Sequence, residues 1–101
     1  MSTSAYRIEN EIINGRVWSS AVSVPTFNYS NDVEIRNFLI NRAVNHGDDG
    51  SFTIHIETLE ELFSEVEAGN INPTIDVLSR LRQDLECAEE EQSLAIDYEV
   101  F

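Results

Sequence analysis

The alternation of apolar and polar residues near the start of the chain is typical of a β-hairpin. Residues Tyr6–Ile13 and Arg16–Val24 flank the dipeptide Asn14-Gly15. This dipeptide is the strongest short signal for a two-residue hairpin turn, and such a turn fixes the register of the two strands. The predicted pairs are Ile12 with Val17, Asn10 with Ser19, Ile8 with Ala21 and Tyr6 with Ser23. Pro25 is expected to end the second strand.

This register gives the predicted hairpin one apolar face and one mixed face. The apolar face, which we expect to contact the core, carries Tyr6, Ile8, Ile12, Val17 and Ala21. The mixed face carries Arg7, Glu9, Glu11 and Arg16 together with Ile13, Trp18 and Val22. Because a strand turns every second side chain to the same side, the mixed face is expected to be either half exposed to water or covered by another part of the structure or by a partner.

Apolar residues at helical spacing predict three helices after the hairpin. The first is expected to begin at Asn31, because Asn31 and Glu34 have the spacing of a capping box. It should continue to about His46, with Gly47 as its C-terminal stop. Its predicted core residues are Ile35, Phe38, Leu39 and Ala43.

The second and third helices carry similar signals. Thr58 and Glu61 form a second capping box, and Gly69 is expected to close that helix. Asn72-Pro73 has the N-cap and N1 arrangement that starts the third helix. The predicted core residues are Leu59, Leu62, Phe63 and Val66 in the second helix and Ile75, Leu78, Leu81, Leu85 and Ala88 in the third.

Two further strands complete the predicted fold. Ser51–Ile56 and Leu94–Phe101 alternate apolar and polar residues, which is the pattern of strands buried on one face. The order of elements predicts a single α+β domain over residues 1–101, in which about four mostly antiparallel strands carry three helices on one face. Residues 1–5 are expected to be flexible. An uncovered edge strand such as Leu94–Phe101 could pair with its copy in a homodimer.

The charge of the chain is strongly negative and unevenly distributed. The formal net charge is −13, from 19 acidic residues against 6 arginines, and lysine is absent. Thirteen of the acids but only Arg80 and Arg82 among the arginines lie in residues 51–101. Direct binding to nucleic acid or to an anionic membrane needs a positive surface, so both are disfavoured. A basic protein partner is favoured instead, although acidity can also serve solubility alone.

The residue types that most often carry catalysis or bind metals do not form a recognisable site. One cysteine, Cys87, cannot make an internal disulfide, and the two histidines, His46 and His55, have no third ligand converging on them. A calcium loop that starts at Asn45 fails the required pattern at its third and twelfth positions, which are Gly47 and Ile56. Nucleophile elbows, phosphate-binding loops and dinucleotide fingerprints are absent. We therefore expect no enzyme activity and no cofactor or metal. A cytoplasmic location is expected because the N-terminus carries no secretion signal.

Carboxylates gather in two segments of the predicted helices. Glu57, Glu61 and Glu65 recur every four residues, and like charges at this spacing cost a helix about 0.2–0.5 kcal/mol per pair. At the far end of the third helix, acids collect where the helix dipole prefers cations, unless the helix stops before Glu89 and leaves an acidic loop. The candidate partner-binding residues are Glu57, Glu60, Glu61, Glu65, Glu67, Asp84, Glu86, Glu89, Glu90, Glu91 and Trp18. Trp18, Tyr98 and Phe101 are candidate anchors within this surface, with core packing as the other outcome for each.

The spacing of the acids is close to the spacing of phosphates. Residues 57–67 span about 16 Å of helix, and their five carboxylates lie about 3 Å apart on average, against ~3.4 Å per charge along one DNA strand. We therefore predict an inhibitor that mimics nucleic acid and blocks a positive groove. In composition the chain is similar to the small inhibitors that viruses use against nucleases, CRISPR effector complexes or restriction enzymes, although it contains no family motif. Two other hypotheses are an immunity protein or antitoxin against a basic toxin, and an adaptor domain that binds through Ile13, Trp18 and Val22.

Overall fold

The fold is an antiparallel sheet with helices packed against it. The computed structural model describes residues 3–47 and 50–101. Its elements are β1 (Ser4–Ile13), β2 (Arg16–Ala21), β3 (Phe27–Asn28), α1 (Val33–Arg42), β4 (Asn45–His46), β5 (Phe52–His55), α2 (Ile56–Glu67), α3 (Ile75–Glu90) and β6 (Ala95–Val100). The sheet order is β2-β1-β6-β5-β4, with β3 paired to β1, and each of these pairings is antiparallel. The predicted α+β class is confirmed. Six strands replace the four expected because β3 and β4, with two residues each, are too short to show a periodic pattern.

The core lies between the helices and one face of the central strands. Phe52 of β5 stands opposite Tyr98 of β6, and their rings stack with centroids 5.1 Å apart. Ile54 and Ile96 form the next buried pair on the same face. The helices contribute Ile35, Phe38, Leu39, Leu59, Leu62, Val77, Leu81 and Ala88. All of these helical residues except Val77 were predicted to be in the core. The prediction was wrong for Ile75, which is 82% exposed at the start of α3.

The N-terminal hairpin has the predicted turn and most of the predicted register. Asn14 and Gly15 both have positive φ, 52° and 77°, as a two-residue turn of the I′ type requires. The predicted pairs Ile12–Val17, Asn10–Ser19 and Ile8–Ala21 are present. Because β2 ends at Ala21, the fourth predicted pair, Tyr6 with Ser23, lies outside the ladder of β1 and β2.

The hairpin face that was expected to contact the core points away from it. β1 joins the sheet through β6, where Arg7 stands opposite the buried Tyr98. Arg7 and the other odd-numbered residues of β1 therefore face the helices, whereas Tyr6, Ile8 and Ile12 face the open side of the sheet. The prediction was wrong because pairing with β6 decides which face of β1 is buried. The distribution of apolar residues within the hairpin does not contain that information.

The hairpin extends beyond the rest of the sheet. β6 pairs with β1 only from Ala5 to Arg7, and every residue from 9 to 21 is exposed. We call residues 9–21 the hairpin arm. Its apolar side chains lie on both faces, with Ile12 and Val17 on the open side and Ile13 and Trp18 on the helix side. Their exposed fractions are 77%, 68%, 49% and 56%, respectively.

The first helix is shorter than predicted at both ends. Its N-cap is Asp32, with no side-chain capping hydrogen bond, so the predicted capping box of Asn31 and Glu34 does not form. Asp32 Oδ2 instead accepts a hydrogen bond from the Asn28 backbone N–H at 2.7 Å, which stabilises the turn before the helix. At the other end, α1 stops early because the chain turns into β4, and His46 lies in that strand.

The starts of the second and third helices also differ from their capping signals. α2 begins before Thr58 and has no side-chain cap, so the second predicted capping box does not form. Thr74, rather than Asn72, is the N-cap of α3, and its Oγ1 accepts a hydrogen bond from the Val77 N–H at 3.3 Å. Gly69, with a φ of +81°, follows the end of α2 as predicted.

The C-terminal strand lies inside the sheet. β6 pairs with β1 on one side and with β5 on the other, so the expectation that it is an edge strand open to a second copy is wrong. The same pairing orders the start of the chain. Ala5 is fully buried, and Ser4 exchanges two backbone hydrogen bonds with Phe101, at 2.8 and 2.9 Å. Of the residues expected to be flexible, Ser4 and Ala5 therefore belong to the sheet, whereas Met1 and Ser2 lie outside the described residues.

Candidate acidic binding surface

Helices α2 and α3 pack side by side in opposite directions. The Arg82 guanidinium of α3 lies 5.1 Å from the centroid of the Phe63 ring of α2. The Ile56 N–H at the start of α2 donates to the carbonyl of Leu94, shortly after the end of α3, at 3.0 Å. Ile56 lies seven residues before Phe63 in α2, and Glu89 lies seven residues after Arg82 in α3. Both residues are therefore equally far from the contact between Arg82 and Phe63. The N-terminus of α2 and the C-terminus of α3 are therefore at the same end of the molecule.

This arrangement brings together two acidic segments that are distant in sequence. The exposed carboxylates of the first turns of α2 and the last turns of α3 form a set that we call the acidic end: Glu57, Glu60, Glu61, Glu86, Glu89, Glu90 and Glu91. Helix α3 runs through Glu90, so Glu86, Glu89 and Glu90 lie on the helix. The alternative, in which the helix stops before Glu89 and leaves an acidic loop, is wrong. The acidic end is thus a single surface that only the fold creates.

Few cations neutralise the acidic end. Arg42 lies 3.4 Å from Glu61, and this is the one ion pair that the described residues make with this surface. Arg80 instead donates to the Thr26 carbonyl at 3.2 Å. Acids at a helix C-terminus cost about 0.3–1 kcal/mol each, whereas an acid in the first turn of a helix, such as Glu57 of α2, stabilises it by a similar amount. The carboxylates at the end of α3 are therefore the part of the acidic end that disfavours its own helix.

Three of the predicted acidic residues do not belong to the acidic end. Glu65 is half-buried and accepts a hydrogen bond from Asn70 Nδ2 at 2.9 Å. Glu67 is exposed, but it is the last residue of α2 and lies at the opposite end of that helix from Glu57. Asp84 is only 5% exposed, so its predicted contact with a partner is wrong. Its side chain turns toward the core because two buried hydroxyl groups and an arginine bind it there.

Asp84 is the acceptor of a buried hydrogen-bond network. Its Oδ2 accepts hydrogen bonds from the hydroxyl groups of Thr26 and Tyr98, the latter at 2.8 Å. Its Oδ1 accepts a hydrogen bond from Arg7 Nε at 3.1 Å, and Arg7 also donates to Glu9 at 2.9 Å. The network joins α3 to β1, to β6 and to the segment before β3. A separation of 77 residues between Arg7 and Asp84 left no local signal for this contact in the sequence.

Burial controls the protonation of this network. Desolvation raises the pKa of the Asp84 carboxyl group above its ordinary value, because it outweighs the hydrogen bonds from Thr26 and Tyr98 and the charge of Arg7. Burial, followed by the charge of Asp84, raises the pKa of Tyr98 well above its ordinary value, so its hydroxyl group stays a donor at neutral pH. Burial acts to lower the pKa of Arg7, but the hydrogen bond to Glu9 and the charge of Asp84 leave that pKa raised.

The raised pKa of Asp84 predicts that this residue contributes more stability as the pH falls from neutral toward the ordinary pKa of a carboxyl group. Between the ordinary and the raised pKa, the folded state holds the proton more often than the unfolded state, so the free energy of unfolding falls as the pH rises through that window. Urea unfolding at neutral and mildly acidic pH should show this gain in the wild type and a smaller gain in Asp84→Asn. Equal slopes for the wild type and Asp84→Asn would contradict the prediction.

The hairpin arm projects from the same end of the molecule as the acidic end. Because β1 runs antiparallel to β6, it leaves the sheet beyond the start of β6, which follows α3. The base of the arm and the end of α3 line one cleft, with Arg7 and Asn10 on one side and Glu91 on the other. Trp18, which is 56% exposed, lies on the helix side of the arm, paired with Glu11. An exposed aromatic side chain thus accompanies the acidic end.

The other two candidate anchors lie elsewhere. Tyr98 is 1% exposed, so it is a core residue. Phe101 is 63% exposed, and its ring meets the Tyr6 ring edge-on at a centroid distance of 5.5 Å. Because Phe101 follows the last residue of β6, it lies at the end of that strand opposite to α3 and the acidic end. Trp18 is therefore the one predicted anchor that the described structure places with the carboxylates.

The described residues contain neither a metal-ligand cluster nor a membrane span. Among residues 3–47 and 50–101, histidine, cysteine and acidic side chains form no group of three or more that could hold a metal ion. His55 Nδ1 lies 3.4 Å from the Leu94 carbonyl oxygen. Asp48 and Asp49, in the loop that fails the calcium-binding pattern, lie outside the described residues. None of the described helices combines the length and the apolar character needed to cross a bilayer.

Comparisons of the chain with protein-family models, with curated proteins and with solved structures gave no match.

Proposed function

We propose that this protein is an inhibitor that mimics nucleic acid and occupies the positively charged groove of a nuclease or a host defence complex. The observation that carries the proposal is the acidic end, where exposed carboxylates from two helices meet and the described residues supply one ion pair. A groove that binds nucleic acid is lined by lysine and arginine. Seven carboxylates on one surface offer such a groove the same charge that a stretch of phosphates offers.

The packing of the helices supports this proposal. Phe63 of α2 contacts Arg82 of α3, so the carboxylates at the start of α2 and at the end of α3 are held by one rigid pair of helices. A rigid pair of helices can present negative charge at fixed positions to a groove in the partner, as the phosphate backbone of a nucleic acid does.

Trp18 would supply the apolar part of the interface. Charge complementarity mainly accelerates association, whereas buried aromatic residues slow dissociation. Trp18 is exposed on the helix side of the arm, so a partner seated on the acidic end can reach it. Such an inhibitor needs no catalytic group, cofactor or metal, and we place it in the cytoplasm, in an infected host cell if a phage encodes it.

The test is competition with DNA. Tagged protein is used to capture partners from a bacterial lysate at low salt, and the bound fraction is then eluted either with salt or with a DNA duplex. We expect one basic nucleic-acid-handling protein or complex to be released by both treatments, because salt screens the charges and DNA occupies the same groove. A partner released by salt but retained in excess DNA would overturn the mimic. It would instead indicate a basic toxin that does not use a nucleic-acid groove, as an immunity protein or antitoxin requires.

The exposed apolar residues of the arm favour a second candidate function. Ile13 and Trp18 are about half exposed, at 49% and 56%, and Val22 beside them is half-buried. They could bind an apolar partner, in which case the protein is an adaptor domain and its acidity serves solubility. Binding of that kind should barely change with salt, so the salt elution above separates the two candidates.

A further inference from the structure

The outer edge of β2 presents unpaired backbone groups. In the ladder between β1 and β2, the Val22 N–H donates to the Arg7 carbonyl at 3.0 Å. Hydrogen-bonded and non-hydrogen-bonded pairs alternate along an antiparallel ladder, so Trp18 and Ser20 bond inward to β1. Val17, Ser19 and Ala21 form the non-hydrogen-bonded pairs with β1, and they turn their N–H and C=O groups toward the outer edge. β2 is the terminal strand of the sheet order in the described part of the chain.

This edge lacks the features that usually keep an edge strand from pairing. Natural edges are short, contain proline or inward-pointing charges, or are interrupted by bulges. The opposite edge of the sheet, β4, is only two residues long. β2 has six residues and a regular register, and it contains no proline and no charge except Arg16 at its start. Both of its faces are exposed, so a second strand can approach it freely.

The charge of this segment indicates what pairs with it. No carboxylate occurs between Glu11 and Asp32, although the chain has a net charge of −13. Two copies of so acidic a protein repel one another over most of their surfaces. The edge of β2 is the place where they can meet without bringing acids together. A basic partner gains nothing at this edge, because Arg16 is its only charged residue.

We propose that two copies of the chain associate through β2, as antiparallel edge strands related by a twofold axis at Ser19. In this register Ser19 pairs with Ser19 of the second copy, and Val17 pairs with Ala21, so all the outward-facing N–H and C=O groups of the strand are satisfied. The two sheets become one continuous sheet with the helices of both copies on the same side. Trp18 stands opposite Ser20 of the second copy and keeps its place on the helix side.

The test is the oligomeric state of variants at position 19. Sedimentation velocity over a concentration series should show the wild type moving from 11.5 kDa toward twice that mass as concentration rises. Ser19→Pro removes an outward N–H without touching a hydrogen bond to β1, since Ser19 bonds only toward the open edge. It should raise the dissociation constant of the dimer about tenfold or more, because the pair at the axis loses both its hydrogen bonds.

Two controls keep the result interpretable. Like Ser19→Pro, Ser19→Ala removes the hydrogen bond that the Ser19 hydroxyl group donates to Asn10. It keeps the backbone N–H, so this variant should dimerise like the wild type. Val17→Glu, at a residue that is already 68% exposed, should weaken the dimer by charge, whereas Val24→Glu, outside the strand, should not. The comparison of Val17→Glu with Val24→Glu tests the dimer even if Ser19→Pro disturbs the hairpin arm. A wild type that stays monomeric throughout the series, or a dimer that tolerates Ser19→Pro and Val17→Glu, would overturn the proposal.

Salt distinguishes this association from partner binding at the acidic end. Screening reduces the repulsion between two acidic copies, so added salt should strengthen the dimer. The same salt should weaken the complex with a basic partner. If a strand of another protein occupies the edge instead, the wild type stays monomeric alone and Ser19→Pro abolishes capture of that protein, which also counts against a dimer.

Discussion

Replacing Asp84 with alanine is expected to lower the free energy of unfolding by about 3–5 kcal/mol, the usual cost of breaking a buried ion pair from one side. The substitution leaves the hydroxyl groups of Thr26 and Tyr98 without the carboxylate that accepts their hydrogen bonds, and it leaves the Arg7 guanidinium without its buried partner. Domains of this size are commonly stable by about 5–15 kcal/mol. The loss is therefore a large share of the total, and urea unfolding measures it directly.

The matched control is a carboxylate close by on the same helix. Glu86 is exposed on α3, so Glu86→Ala should change the free energy of unfolding by less than about 0.5 kcal/mol. A double-mutant cycle with Arg7→Met adds a sharper test. Because Asp84 and Arg7 are in contact, the double variant should lose less stability than the two single variants added together, by about 1 kcal/mol or more. If Asp84→Ala unfolds at the same urea concentration as Glu86→Ala, the network does not stabilise the fold.

The hairpin illustrates which features of this fold are encoded locally. Asn14-Gly15 determines the turn, and the turn determines the register, so three strand pairs could be predicted from residues that are close in sequence. Which face of the hairpin turns inward depends on the pairing of β1 with β6, nearly the whole chain away. No periodicity within the hairpin carries that information. The exposed arm follows from the same long-range pairing, since β6 covers only the first part of β1.

The candidate site shows the same division between local and long-range information. The helical spacing of the acids in α2 and α3 could be read from the sequence, and their exposure could be inferred from the apolar stripe opposite them. Their convergence at one end could not, because it depends on the antiparallel packing of the two helices. The prediction for Asp84 was wrong because it rested on the charge of the residue. The position of Asp84, three residues after Leu81 and four before Ala88, is on the buried side of α3.

The edge strands could not be assigned from sequence either. The alternation of Leu94–Phe101 describes a strand with one buried face equally well at the centre or at the edge of a sheet. In the structure the C-terminal strand is central and the second strand of the hairpin is at the edge. The sequence suggested a homodimer through Leu94–Phe101. The strand order leaves β2 as the open edge instead, and β2 contains no acidic residue. Strand order, rather than strand identity, is the information that was missing.

Reversing three charges of the acidic end is expected to weaken partner binding by about 10²–10³-fold. The variant Glu60→Lys, Glu89→Lys and Glu90→Lys changes residues that are exposed on α2 and α3, and it leaves Glu61 free to pair with Arg42. Each reversal replaces an attraction to a basic groove with a repulsion, and each tenfold change in affinity corresponds to about 1.4 kcal/mol. The partner captured from the lysate, immobilised on a sensor surface, provides the measurement at a fixed salt concentration.

The control variant has the same net charge, but its three substitutions are at different positions. Glu34→Lys, Glu67→Lys and Asp76→Lys also raise the net charge by six units, from −13 to −7, and they lie at the opposite ends of the helices, where the starts of α1 and α3 line a common cleft. If only the overall field attracted the partner, both variants would lose affinity equally, because long-range steering depends on total charge. If the carboxylates of the acidic end replace phosphates in a groove, the control should lose less than about tenfold in affinity, through screened long-range attraction alone. Equal losses would refute the mimic and leave a protein whose acidity acts only at a distance; unequal losses would locate the contact at the end where α2 begins and α3 finishes.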